Sequence, residues 1–378
     1  MRGRQSRKGT REYVEGRGIG ADMNGATLDM PSASNDGEVA VGRARDLSGD
    51  YRPPYPGSLA LSSYLRWIPR TSSKARVELV CWFLRRAVRL EVPDAAAVPA
   101  LRSKLLRLDR HLFHIPRWSR REAVRMNGVA AEWIQAANAS DDRVVLYLHG
   151  GGFAFHFPNG YRAFAAHLSL ALRARVLLPD YRLAPEHRFP AQQDDCLNAY
   201  RGILALGVPA SRIIVAGDSA GGNLTLSLLQ RLAGEGLPQP GCAVALSPAT
   251  DLALGGESAH TLANVDPMLS AASLPVLRDM AFSPEHQGSP VASPLRGSFA
   301  QTAPTLVMCG TREVLLDDAC CYAQRVREDG GSIACEVWED MPHVFPLLSA
   351  LKESRKALEH IARFVDVSLD AATSTPRI

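Results

Sequence analysis

Apolar positions along the chain follow two rhythms. From Asp142 onward short apolar runs recur: VVLYLH (144–149), RVLLP (175–179), RIIVAG (212–217), CAVALS (242–247), TLVMCG (305–310) and IACEVW (333–338). Each is long enough for one strand, and the near-continuous apolar character suits a parallel strand covered on both faces. Between most of them lie segments of helical periodicity at 161–173, 191–205, 220–234 and 317–328, and a last one runs near 350–367. Strands alternating with helices predict an α/β fold, with a mostly parallel sheet and helices on both faces. Residues 251–292 break the rhythm. They are rich in Pro, Ser, Gly and Ala around a helical LPVLRDMAF, and read as an insertion over the C-terminal edge of the sheet.

The first half of the chain has a different texture. Residues 1–50 are basic and polar with little apolar periodicity, the composition of a disordered tail. From Pro56 to about Phe113 the pattern turns helical. In SSKARVELVCWFLRRAVRL, Val77, Val80, Cys81, Leu84 and Val88 share one face, opposite Arg85, Arg86 and Arg89. Such a helix packs on its own domain or lies on a membrane surface. The organisation expected is a tail at 1–50, N-terminal cap helices at 51–135, a catalytic domain at 136–368 with a cap insertion near 251–292, and a flexible tail at 369–378.

Composition narrows the classes. At 378 residues, with 46% hydrophobic and 22% charged positions, the chain can bury a sizeable core. A net charge of +4 is small for this length and does not argue for nucleic acid. No run of 18 apolar residues offers a membrane span, and the basic N-terminus lacks the apolar core of a secretory signal. The seven cysteines include no CxxC pair and no Cys/His zinc spacing, so no metal is expected. They read as reduced thiols in a cytoplasmic protein; the vicinal pair Cys320–Cys321 is the one place where oxidant sensing comes to mind.

Three segments carry chemistry. Gly217-Asp218-Ser219-Ala220-Gly221 is a G-x-S-x-G on a strand-to-helix junction, where glycines on either side permit a tight turn that lifts the Ser219 hydroxyl above the sheet edge. His149-Gly150-Gly151-Gly152-Phe153 follows the strand VVLYLH, and a glycine run there exposes backbone N–H groups able to hold an oxyanion. Gly151, Gly152 and Ala220 are the candidate donors. His343, in Met341-Pro342-His343-Val344-Phe345, lies past a late strand, where the chain order nucleophile, acid, base requires the general base. The acid belongs after TLVMCG, where Glu313, Asp317 and Asp318 compete. Asp317 and Asp318 also suit the first turn of a helix, and Glu313 lies nearer the strand end.

These segments, with Asp180-Tyr181-Arg182-Leu183-Ala184-Pro185-Glu186 and Phe189-Pro190-Ala191, resemble the hormone-sensitive-lipase-like esterases, bacterial family IV, over about 140–365. The resemblance implies an α/β-hydrolase core under a helical cap and a cofactor-free serine carboxylesterase for small or short-acyl esters. It implies a structural role for His149 and a loop beneath the site built by DYRLAPE. Relatives commonly carry the acid as Asp in a D-x-L-x-D-like segment; placed over GTREVLLDDA its first Asp falls on Glu313 and its second on Asp317. The expected partner is a small-molecule ester, without nucleic acid or stable membrane insertion, and a homodimer stays open. An amidase or deacetylase on the same scaffold is the alternative. A non-catalytic receptor is disfavoured by the presence of both Ser219 and His343.

Overall fold

The computed structural model describes residues 73–374. The expected tail at 1–50, the start of the cap region at 51–72 and the last four residues lie outside the described residues.

Among the described residues, eight strands form one sheet in the order β1-β2-β4-β3-β5-β6-β7-β8. In chain order they are β1 (Arg120–Met126), β2 (Val129–Gln135), β3 (Ser140–Leu148), β4 (Ala174–Pro179), β5 (Ile213–Asp218), β6 (Cys242–Leu246), β7 (Thr305–Arg312) and β8 (Ile333–Pro342). From β4 through β3 to β8 every pairing is parallel, while β1–β2 and β2–β4 are antiparallel. All six apolar runs of the sequence lie on the parallel strands. β5 and β6 are buried at every position, as strands covered on both faces must be.

Alternate side chains of each strand divide the core. One face packs Val145, Ile214, Val244, Leu306 and Met308 against α1 (Ser73–Ala87), α3 (Pro158–Leu172) and α9 (Lys352–Ser374). The other packs Val144, Leu146, Ile213 and Val215 against α4 (Ala191–Ala205) and α5 (Ala220–Gly234), and Val307 and Cys309 against α8 (Leu316–Glu328). The apolar stripe of α1 seen in the sequence is buried in the first of these faces. Arg312, at the end of β7, clamps α1 from outside through ion pairs to Glu78 and Asp340, each at 2.7 Å. Trp82 stays 56% exposed, with the Arg86 guanidinium over its ring. Helix α2 (Val98–Leu112) braces the start of α3: both Asp109 carboxylate oxygens accept backbone N–H groups there, from Asn159 and Gly160 at 2.9 Å.

Two expected boundaries need correction. Cap helices were expected to run to residue 135, yet 120–135 form the β1–β2 hairpin on the sheet edge. Its turn is Asn127-Gly128, both with positive φ, the pair that a two-residue turn between right-twisted strands selects. The C-terminal tail was expected from 369, but α9 continues to Ser374 because Leu369 extends the stripe of Ile361 and Val365 into the core and is fully buried. Truncating a leucine so placed costs about 2–5 kcal/mol. The insertion at 251–292 carries the short α6 (Ser258–Thr261) and α7 (Ser273–Ala281). It is stitched to the segment after α1: Leu90 bridges Leu269, Arg89 donates to the Asp266 and Ala263 carbonyls, and the Val92 N–H donates to Ser273 Oγ. Together these two segments roof the C-terminal ends of the strands.

Candidate active site

Strand β5 hands Ser219 to α5 through a sharp turn. Ser219 has φ 55° and ψ −118°, a left-handed conformation that costs a non-glycine residue energy and persists only where its surroundings hold it. What holds it is backbone: its N–H donates to the Leu246 carbonyl at 2.8 Å and its carbonyl accepts the Asn223 N–H at 3.0 Å. The turn passes so close to β3 that a Cβ on Gly221 would strike the Leu148 and His149 carbonyls. The Ala220 N–H opens α5 and has no acceptor within the helix.

The glycine run after β3 comes alongside. Gly151 has φ 113°, and a Cβ there would strike the Phe155 carbonyl. Asp218 ties this loop to the Ser219 turn. Its Oδ1 accepts the Gly150 N–H at 3.0 Å and the Tyr147 hydroxyl at 2.8 Å, and its Oδ2 accepts the Tyr161 hydroxyl at 2.9 Å. Burial raises the Asp218 pKa to about 6 against those three hydrogen bonds. His149 is stacked between His156 and Tyr181, with its Nδ1–H donating to the Gly150 carbonyl at 2.8 Å. Burial holds its pKa well below the ordinary histidine value, so the ring is neutral. Asp218 and His149 both shape the loop.

His343 follows β8 directly and is buried. Its Nδ1 lies 2.6 Å from Glu313 Oε2. Glu313 is fully buried at the end of β7, and its other oxygen accepts the Ser247 hydroxyl at 2.9 Å and the Gly310 N–H. Ser247 Oγ in turn accepts the Val344 N–H at 3.0 Å, so one hydroxyl bridges the carboxylate and the residue after the histidine. Burial works against an imidazolium at His343. The hydrogen bond and charge of Glu313, aided by Asp266 and Asp218, outweigh it and raise the pKa above the ordinary value.

The competing carboxylates face elsewhere. Asp317 Oδ2 accepts the Ser258 N–H at 2.8 Å while Ser258 Oγ accepts the Asp317 N–H at 3.0 Å, a reciprocal brace between α6 and α8. Asp318 accepts the Thr250 and Asp251 N–H groups and pins the start of the insertion.

Ser219, Ala220, Gly151, Gly152 and His343 line one cavity of about 120 Å³. Its roof is apolar: Val88 and Leu90 from the segment after α1, and Met268, Leu269, Leu274 and Leu277 from the insertion. A larger open groove of about 660 Å³ runs along β1, β2 and the end of β4, but neither Ser219 nor His343 reaches it, so the smaller cavity is where these groups can act together. The sequence reading missed Ser247 and Asp266. Ser247 had one available signal, its place just past a strand end on the loop side of a parallel sheet. Asp266, buried in the insertion, had none: it accepts the Val314 N–H at 3.0 Å beside Glu313 and the Met268 and Leu269 N–H groups in the roof.

A family profile described as the α/β-hydrolase fold matches residues 145–347. An acetyl-hydrolase of Streptomyces hygroscopicus is 36% identical over 245 residues, 65% of this chain and 82% of the relative. A carboxylesterase/phospholipase of Mycobacterium tuberculosis is 35% identical over 254 residues, 65% of this chain and 68% of its own. Among solved structures, an esterase from the bacterial hormone-sensitive lipase family superposes with a TM-score of 0.73 at 34% identity, covering 80% of this chain and all of that one.

Proposed function

Since the chain belongs to the hormone-sensitive-lipase-like carboxylesterases of the α/β-hydrolase fold, we propose that it hydrolyses small or short-acyl esters through Ser219, His343 and Glu313. Carboxylic esters are split by acyl transfer. His343 takes the Ser219 proton as the hydroxyl attacks the ester carbonyl. Glu313, hydrogen-bonded to Nδ1, leaves the opposite ring nitrogen to take that proton and stabilises the imidazolium that forms. The N–H groups of Gly151, Gly152 and Ala220 hold the tetrahedral oxyanion, in a cavity beneath the apolar roof. His343 then protonates the departing alcohol. Water, deprotonated by the same ring, releases the acyl group and restores Ser219.

The observation that carries this reading is the 2.6 Å bond between His343 and Glu313 at the wall of the cavity that holds Ser219. The short-acyl preference rests on the small volume and on the acetyl-hydrolase named among the relatives. The seven free thiols support a reducing, cytoplasmic setting. No helix among the described residues is long and apolar enough to cross a membrane.

A panel of aryl esters from about two to sixteen acyl carbons, with amide counterparts, tests the substrate class. Each buried CH₂ adds about 0.8 kcal/mol only until the pocket is filled. The expected kcat/KM peaks between about two and eight carbons and is far lower for amides. A steady rise to the longest chain, or amides turned over as fast as esters, would reject the assignment.

A further inference from the structure

Behind the Glu313 end of β7, three cysteines from three elements meet. Cys309 on β7 and Cys335 on β8 are diagonal neighbours on adjacent parallel strands, since Val307 pairs with Cys335 and Cys309 with Val337. Both face α8, where Cys309 is buried in the core beneath the helix and Cys335 packs at its margin. The Cys320 side chain of α8 reaches down to both and hydrogen-bonds with each. Cys320 and Cys335 are half-buried, whereas Cys309 is buried. Cys321, the sequence neighbour of Cys320, takes no part in this cluster.

We propose that this cluster is a site of reversible oxidation by hydrogen peroxide, with Cys320 as the reacting thiol and Cys335 as its resolving partner. Two neutral thiols donating to one sulfur favour the thiolate on that sulfur. The Cys320 pKa is accordingly lowered by Cys309 and Cys335, with Arg327 adding a smaller pull, and those of its two donors are raised. A half-buried thiolate beside a second thiol is the arrangement that oxidises and then condenses.

The chemistry closes without another reactant. The Cys320 thiolate attacks one peroxide oxygen, the O–O bond breaks, hydroxide leaves and Cys320 becomes a sulfenic acid. The Cys335 thiol then attacks the Cys320 sulfur, the S–O bond breaks, and a disulfide and water form. In sum two thiols and one peroxide give one disulfide and two waters, with sulfur oxidised and peroxide oxygen reduced. Cys335 resolves rather than Cys309 because it sits on the edge strand and is half-buried, whereas Cys309 is fully buried. The bond would join the helix that follows Glu313 to the strand that leads into His343, independently of what those two residues do. This site stands whether or not the esterase reading holds.

Trypsin separates the three sulfurs, because Arg312 and Arg327 divide the peptides of Cys309, Cys320 and Cys335. The folded full chain is treated with a small excess of hydrogen peroxide, quenched with iodoacetamide and mapped by mass spectrometry. The expected product is a Cys320–Cys335 crosslink, reversed by dithiothreitol and unchanged in Cys321→Ser. In Cys335→Ser the sulfenic acid on Cys320 persists and is trapped by dimedone. In the near-isosteric Cys320→Ser no crosslink forms. Wild-type Cys320 is expected to be consumed about tenfold faster than Cys321. Equal consumption of the two, a link from Cys320 to Cys321 or to Cys309, or a crosslink surviving in Cys320→Ser would overturn the proposal.

Discussion

The choice between Glu313 and Asp317 turns on what each carboxylate touches. Glu313 spends both oxygens on the histidine, Ser247 and the Gly310 N–H, and is fully buried. Asp317 is spent on Ser258. Glu313→Gln should therefore lower kcat by about 10⁴, because the imidazole loses its tautomer and its orienting charge. Asp317→Asn should keep near-normal kcat and lose about 1 kcal/mol of stability with the brace between α6 and α8. Steady-state kinetics beside thermal unfolding separates the two, and a reversed pattern would move the acid to Asp317. The same contact sets a pH dependence. His343 must be neutral to act as a base, so kcat/KM rises with pH as it deprotonates. Glu313 raises its pKa against the opposing effect of burial, so the midpoint should lie above the ordinary 6.5. In Glu313→Gln the midpoint should fall, since burial is left with less to oppose it. A pH–rate profile that does not move between the two proteins would show that the histidine is held by something else.

At the scale of elements, the aspartate that opens α8 also bears on stability. Asp318 accepts two backbone N–H groups from the start of the insertion, yet burial without a cation partner raises its pKa from 3.8 to about 7. Between those values the folded chain keeps a proton that the unfolded chain gives up. Its contribution is therefore fully present below about pH 4 and is lost as pH rises toward 7. Asp218, raised to about 6, acts in the same direction. Calorimetry of Asp318→Asn should show a shallower decline of Tm from pH 4 to pH 7 than wild type. An unchanged slope would mean that this carboxylate stays ionised in the fold. Which elements the sequence disclosed follows from burial. The parallel strands were legible because each is apolar on both faces, and α5 and α8 because their periodicity follows directly on a strand. The β1–β2 hairpin was not, because β1 is an edge strand whose RREAVR presents almost only exposed positions and so has no hydrophobic period. Its one local sign was Asn127-Gly128, which a helical reading of the region passed over. The end of α9 was hidden because a single leucine, Leu369, holds its last turns.

Across the whole molecule, the residues proposed to act together are far apart in the chain and are brought near one another because a parallel sheet delivers strand ends to one edge. Ser219 follows β5, Glu313 lies at the end of β7 and His343 follows β8. Each sits at or just past a strand end, which is why G-x-S-x-G, the glycine run and the late histidine could be proposed from sequence. The roof could not. Its residues come from the segment after α1 and from 251–292, and their meeting depends on pairings such as Leu90 with Leu269 and Arg89 with the Asp266 carbonyl that no local pattern announces. The central claim is that this assembly turns over esters through Ser219. It is tested most directly by incubating the protein with a serine-directed phosphonate, following ester turnover and adduct mass together, and repeating both with Ser219→Ala. The account predicts a single adduct on Ser219 that forms as activity disappears. It also predicts a Ser219→Ala protein that unfolds at an unchanged temperature, takes no label and has lost kcat by about 10⁵–10⁶. A folded Ser219→Ala protein that still hydrolyses esters, or an inactivating adduct on any other residue, would contradict it.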